Sequence, residues 1–169
     1  MTTELLFNKI VIVGAGTMGR GIAQVCAMAG YTTILNDISE ETLTKAHKQI
    51  VGNLAKGVEK GKVSTEVQER ALAGLSLSQD LTGSIADADM VIEAVPEIMD
   101  LKKSLLSTID EHTPEHCIIG TNTSSLSIAE LAESTSDASR VIGMHFFNPV
   151  HIMKLLEIVY APDLTGNDV

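Results

Sequence analysis

The chain has no tryptophan, two tyrosines and three phenylalanines, too few rings for the stacking platforms that hold single-stranded nucleic acid. It is also short of positive charge: 12 lysines and arginines stand against 22 aspartates and glutamates, a formal balance of -10. An acidic surface repels nucleic acid and anionic membrane alike, so neither is expected as a partner. No apolar run approaches the roughly 20 residues that span a bilayer. No basic-then-apolar leader opens the sequence, and the expected location is the cytoplasm. Cysteine is scarce as well. Cys26 and Cys117 fall in a predicted helix and a predicted strand, without metal-type spacing, and read as small buried apolar side chains. No metal site is expected.

What is present suits one globular core. Hydrophobic residues make up 44% of the 169 positions and charged residues 20%, without repeats, which excludes a disordered chain. Strands and helices alternate. Lys9 to Val13 is a short β-branched run of the kind buried on both faces in a parallel sheet, and from Thr17 apolar positions recur at helical spacing until Gly30 stops them. Thr32 to Leu35 reads as a second strand. Ser39, with Glu40 and Glu41 behind it, caps a long helix running to Gly57 or Gly61. A short helix over Val63 to Ala73, a strand over Leu75 to Leu77, a core strand from Asp89 to Val95 and a helix from Glu97 to Asp110 follow. Cys117 to Gly120 is a further strand, Ser127 and Glu130 have capping-box spacing for the next helix, and Val141 to Met144 and Leu155 to Val159 complete the strands. The pattern predicts an α/β fold: a Rossmann-type, doubly wound, mostly parallel sheet with helices on both faces. Residues 1–160 form the predicted domain, and the turn-rich residues 161–169 read as the start of a linker.

Between the first strand and first helix lies Gly14-Ala15-Gly16-Thr17-Met18-Gly19, a GxGxxG in the setting that gives the motif meaning. Gly14 permits the tight turn, Gly16 clears the approach of a pyrophosphate, and Gly19 lets helix and strand pack closely. The helix N-terminus offers free amides and partial positive charge to the phosphates. Asp37, at the end of the second strand, is placed to accept hydrogen bonds from the adenosine ribose. A 2'-phosphate would meet that carboxylate as like charge, and no lysine or arginine follows before Lys45, so NAD is favoured over NADP.

Three later segments carry a resemblance: Glu93-Ala94-Val95-Pro96-Glu97, Thr121-Asn122-Thr123-Ser124-Ser125-Leu126, and Met144 to Val150 running into Met153-Lys154-Leu155-Leu156-Glu157. With the glycine motif they make the chain resemble the NAD-binding domain of the 3-hydroxyacyl-CoA dehydrogenases, including the 3-hydroxybutyryl-CoA type. The resemblance implies oxidation of an (S)-3-hydroxyacyl thioester to the 3-ketoacyl thioester, or the reverse reduction. It implies His145 as general base, Glu157 as the carboxylate that orients it, and Ser124 as a hydrogen-bond donor to the substrate oxygen. Asn122 and Asn148 are implied on the nicotinamide side, and Glu97 with Lys102 as a cofactor-contacting pair. Within a five-lysine cluster from Lys45 to Lys62, Lys56 and Lys60 can grip CoA phosphates, and Asn53 stands where relatives carry serine. A solvated helix face fits those lysines equally well.

Glu157 sits in an apolar run, where an ionised carboxylate needs a partner, and His145 is the expected one. The family implies an acyl-CoA partner, a homodimer, and a further helical domain that this sequence lacks, so cofactor binding is expected to outlast turnover. Two alternatives stay open: a related β-hydroxyacid dehydrogenase, against which the run from His145 to Glu157 speaks, and a NAD-binding module without turnover.

Overall fold

The computed structural model describes residues 7–160; the expected linker at 161–169 lies outside them. Seven strands form one sheet in the order β3-β2-β1-β4-β5-β6-β7. They are β1 (Lys9–Val13), β2 (Thr32–Asn36), β3 (Leu75–Ser78), β4 (Met90–Glu93), β5 (Ile118–Thr121), β6 (Val141–Phe146) and β7 (Leu156–Val159). The first six run parallel and β7 returns antiparallel along β6.

Side-chain alternation along β1 divides the interior in two. Ile10 and Ile12 face a core with α1 (Thr17–Ala29), α2 (Glu40–Glu59) and α3 (Thr65–Gly74), where Ile22, Leu35, Ile50 and Leu54 are buried. Val11 and Val13 face the opposite core with α4 (Leu81–Ile85), α5 (Met99–His112) and α6 (Ile128–Ala132), built on Ile85, Leu106, Ile109 and Leu131. Helices therefore cover both faces, as the strand composition predicts. The chain winds outward from β1 through β2 to β3, then crosses back to place β4 on the other side of β1. That reversal opens a crevice at the carboxyl ends of β1 and β4, the place where such sheets bind ligands.

Local signals account for most boundaries. Ser39 Oγ accepts from the Thr42 amide and Ser64 Oγ from the Val67 amide, capping α2 and α3. Ser127 Oγ accepts from the Glu130 amide. The reciprocal half of that capping box is replaced by an ion pair between Glu130 and Lys103, 2.7 Å apart. Two expectations need correction, and one element was not foreseen. The fourth strand stops at Glu93: the Ala94 amide still donates to the Val13 carbonyl, but Ala94 and Val95 then line the crevice wall. The helix after it begins at Met99 rather than Glu97. The single-turn α4, capped by Asp80 on the Gly83 amide, is too short to show a period. Cys26 and Cys117 are buried and unpaired, and burial raises their thiols to about 12 and about 11. No helix among the described residues is long and apolar enough to cross a membrane.

At the amino ends of the strands, Asp89 Oδ2 accepts from the amides of Asn8 and Lys9 at 2.8 and 2.9 Å, stapling the start of β1 beside β4. The Lys9 amide, then that of Asn8, holds the Asp89 carboxyl below its usual range. A lowered folded-state value stabilises the fold above the unfolded value of about 3.9 and ceases to do so as pH falls through the folded value. Asp89→Asn is therefore expected to lower stability by about 1 kcal/mol at pH 7, solvent screening limiting the effect. Denaturant melts at successive pH values should show the gap between wild type and variant closing below about pH 4.

Candidate active site

The turn from β1 into α1 is tightened by contacts that exclude side chains. Gly14 has φ +100°, and a Cβ there would stand 2.8 Å from the Ala94 carbonyl oxygen. A Cβ on Gly19 would lie 1.7 Å from the Gly14 carbonyl oxygen, so strand end and helix touch backbone to backbone. Above Gly16 the space is open, with nothing within 4 Å of such an added atom. Helix α1 has no side-chain cap and no acidic residue in its first turn, whereas α2 has both a serine cap and two glutamates. Open space, uncapped amides and a first helical turn without a carboxylate suit a diphosphate. Ala15 donates its amide to Asp37 Oδ2 at 2.8 Å, and Ser39 donates to Asp37 Oδ1 at 2.9 Å. Asp37 thus joins the glycine turn to the end of β2, on the side where a ribose would lie.

Beyond the turn lies a cleft of about 410 Å³ whose walls include Met18, Glu97, Asn122, Ser124, His145 and Asn148. They come from α1, from the loops after β4 and β5, and from the end of β6 and the loop after it, so distant parts of the sequence converge on it. His145 and Glu157 are cross-strand partners in β6 and β7, and His145 Nδ1 lies 2.8 Å from Glu157 Oε2. A carboxylate accepts, so the proton of this bond sits on Nδ1, and in the neutral ring the lone pair is then on Nε2. The Phe147 ring packs against the imidazole at a centroid separation of 4.3 Å. Asn122 Oδ1 accepts from the Phe146 amide at 3.1 Å, tying the loop after β5 to the residue beside His145.

The pairing agrees with expectation, but the reason offered for it does not. Glu157 is 53% exposed, because β7 is an edge strand with all four residues exposed, so burial does not force the contact. The buried carboxylate is Glu93, which the sequence reading passed over. Glu93 and Lys102 are both 0% exposed, with Lys102 Nζ 2.7 Å from Oε1 and 2.9 Å from Oε2. Lys102 also donates to the Asn122 carbonyl at 3.3 Å and lies 3.4 Å from Glu97 Oε2. Glu97 accepts from the Thr123 hydroxyl and from the Ser124 amide. Burial alone would raise its carboxyl, but Thr123, the Ser124 amide and Lys102 outweigh that and hold it below the usual range.

Asn53, Lys56 and Lys60 do not line this cleft. Asn53 and Lys56 lie on α2 and Lys60 caps its carboxyl end; Asn53 Nδ2 donates to Gln24 Oε1 at 3.2 Å, and the two lysines are exposed. Ala94, Val95, Phe146 and Phe147 join the walls without having been singled out. Glu93 could have been found: an ionisable residue inside the run Met90 to Val95 carries the same warning that was attached to Glu157.

The sequence matches the family model for the NAD-binding domain of 3-hydroxyacyl-CoA dehydrogenase over residues 9–167. It is 39% identical over 164 residues to a mitochondrial hydroxyacyl-coenzyme A dehydrogenase of Rattus norvegicus, covering 94% of this chain and 52% of that protein. It is 42% identical over 152 residues to a probable 3-hydroxybutyryl-CoA dehydrogenase of Bacillus subtilis, covering 90% and 53%. Among solved structures, (S)-3-hydroxybutyryl-CoA dehydrogenase from Ralstonia eutropha superposes with a TM-score of 0.86 at 41% identity, covering 94% of this chain and 57% of that one. The chain thus spans about half the length of these relatives.

Gly19→Ala is expected to force the turn open, lowering stability by roughly 1–3 kcal/mol and abolishing NADH binding measured by fluorescence titration. Gly16→Ala should leave stability within about 1 kcal/mol and weaken binding alone, since its added methyl meets only the space reserved for phosphate.

Proposed function

Because the chain belongs to the NAD-binding domain family of the 3-hydroxyacyl-CoA dehydrogenases, we propose that it carries the cofactor half of a dehydrogenase that interconverts (S)-3-hydroxyacyl-CoA and 3-ketoacyl-CoA. The observation that carries this reading is His145, held by Glu157 at 2.8 Å, in a cleft that Ser124 and Asn122 also line and that opens beside the glycine turn.

NAD fits the residues present: the amides of residues 16–19 for the diphosphate, the space over Gly16, and Asp37 for the ribose. When bound, NAD supplies the acceptor for the hydride leaving C3. His145 Nε2 takes the proton of the 3-hydroxyl, and Glu157 holds the ring through Nδ1 and stabilises the imidazolium that results. The Ser124 hydroxyl donates to the substrate oxygen. Asn122 holds the loop carrying His145 through the Phe146 amide, and Asn148 lines the nicotinamide side. The exposed Lys56 and Lys60, with Asn53, are the proposed contacts for CoA phosphates. The proposed cofactor domain is residues 1–160, and the linker proposed at 161–169 lies outside the described residues.

The relatives being about twice as long favours a second reading of this chain as it stands, in which it binds cofactor without turnover. One cuvette separates the two. NADH fluorescence should rise on binding, and acetoacetyl-CoA added next should drain its absorbance if the chain completes the reaction. His145→Gln is then expected to slow that drain by about 10²–10⁴-fold with NADH affinity unchanged. Binding without drain supports the second reading, and no NADH binding overturns both.

A further inference from the structure

Gly21 lies inside α1, just past the glycine turn, where glycine is a poor helix former. The turn itself does not call for it, since Gly14 and Gly19 already meet backbone to backbone. Val150 explains the position. A Cβ at Gly21 would stand 2.9 Å from both Cβ and Cγ2 of that valine. Val150 belongs to the loop that joins β6 to β7, and among the described residues beyond Phe147 it alone is buried. The amides of Ile152 and Met153 both donate to the Pro149 carbonyl at 2.9 Å, closing a turn at the valine. Asn148 in the same loop lines the cleft, and so does Met18, which shares a helix face with Gly21 one turn away.

We propose that Val150, seated on Gly21, is a positioning residue that sets the distance between α1 and the loop carrying Asn148, and so the width of the nicotinamide end of the cleft. The role rests on the cleft being the cofactor site. The β6–β7 ladder aligns His145 with Glu157, but its last rung on β6 is Phe146 with Leu156, and Asn148 lies beyond it. Val150 supplies the hold that the ladder does not. Its side chain branches at Cβ and is stiff, and Cβ moves only with the backbone, so an atom added at position 21 displaces the loop itself. The diphosphate end is held separately, by the Gly14 amide on the Asn36 carbonyl and by Gly14 against Ala94.

The test titrates this chain calorimetrically with NADH and with ADP-ribose, which keeps the diphosphate but has no nicotinamide. The variants are Gly21→Ala, Val150→Ala, and Gly21→Ala combined with Val150→Gly. Gly21→Ala is expected to bind NADH about three- to tenfold more weakly, the cost of roughly one hydrogen bond, with ADP-ribose affinity unchanged. Val150→Ala adds no atom and removes two methyls from the seat, so it should change the ratio of the two affinities in the same direction, and it carries the test if Gly21→Ala does not fold. The combined variant takes away both atoms that the new methyl would meet and should bring the ratio back to within about twofold of wild type. A role in helix packing alone predicts lower melting temperatures with the ratio unmoved in every folded variant. That result, or a folded combined variant no better than Gly21→Ala, overturns the proposal. If wild type binds neither ligand, the cofactor reading fails instead. Backbone amide resonances of Phe147 and Asn148 that shift in Gly21→Ala and return in the combined variant then still support the positioning role, and unmoved ones overturn it.

Discussion

The Gly14 carbonyl oxygen lies where any side chain at position 19 would begin, 1.7 Å from the atom that would start it. That contact sets how far α1 descends toward the sheet, and with it the position of the open amides at the helix N-terminus. The Gly14 amide donates to the Asn36 carbonyl at the end of β2 and the Ala94 amide to the Val13 carbonyl, so the same few residues join β1, β2 and β4 where the winding reverses. Asp37, Ala94 and Val95 take their places from this junction. A crevice at a switch point follows from topology; its depth here follows from two glycines.

A second constraint acts across the cleft. The ends of β4 and β5 and the turn into α5 meet on one ammonium group, and the loop after β5 meets the end of β6 through Asn122. The walls of the cleft are therefore cross-linked by polar contacts in a core that is mostly apolar. Such a network is directional where apolar packing is not, and it leaves each loop little freedom to drift.

The third wall is different in kind. His145 sits on a strand packed on one side by β5, but its carboxylate partner is carried by an exposed edge strand. Leu155, Leu156, Ile158, Val159 and Tyr160 are exposed along that edge. The His145–Glu157 pair thus stands at the margin of the fold, and the cofactor turn stands at its centre.

Much was legible in the sequence because it is local. The alternation of β-branched runs with helical periods, the caps at Ser39 and Ser127, and the GxGxxG with Asp37 are patterns written over a few residues, and each is set by backbone geometry that neighbours in the chain control. His145 and Glu157 stood out through resemblance, and their cross-strand contact follows from the antiparallel return of β7. Tertiary structure alone decided which carboxylate is buried. Glu93 and Glu157 both lie in short apolar runs, but β4 is flanked by strands on both sides and covered on both faces while β7 is an edge. Burial is a property of what packs on a strand, and composition within the strand does not encode it.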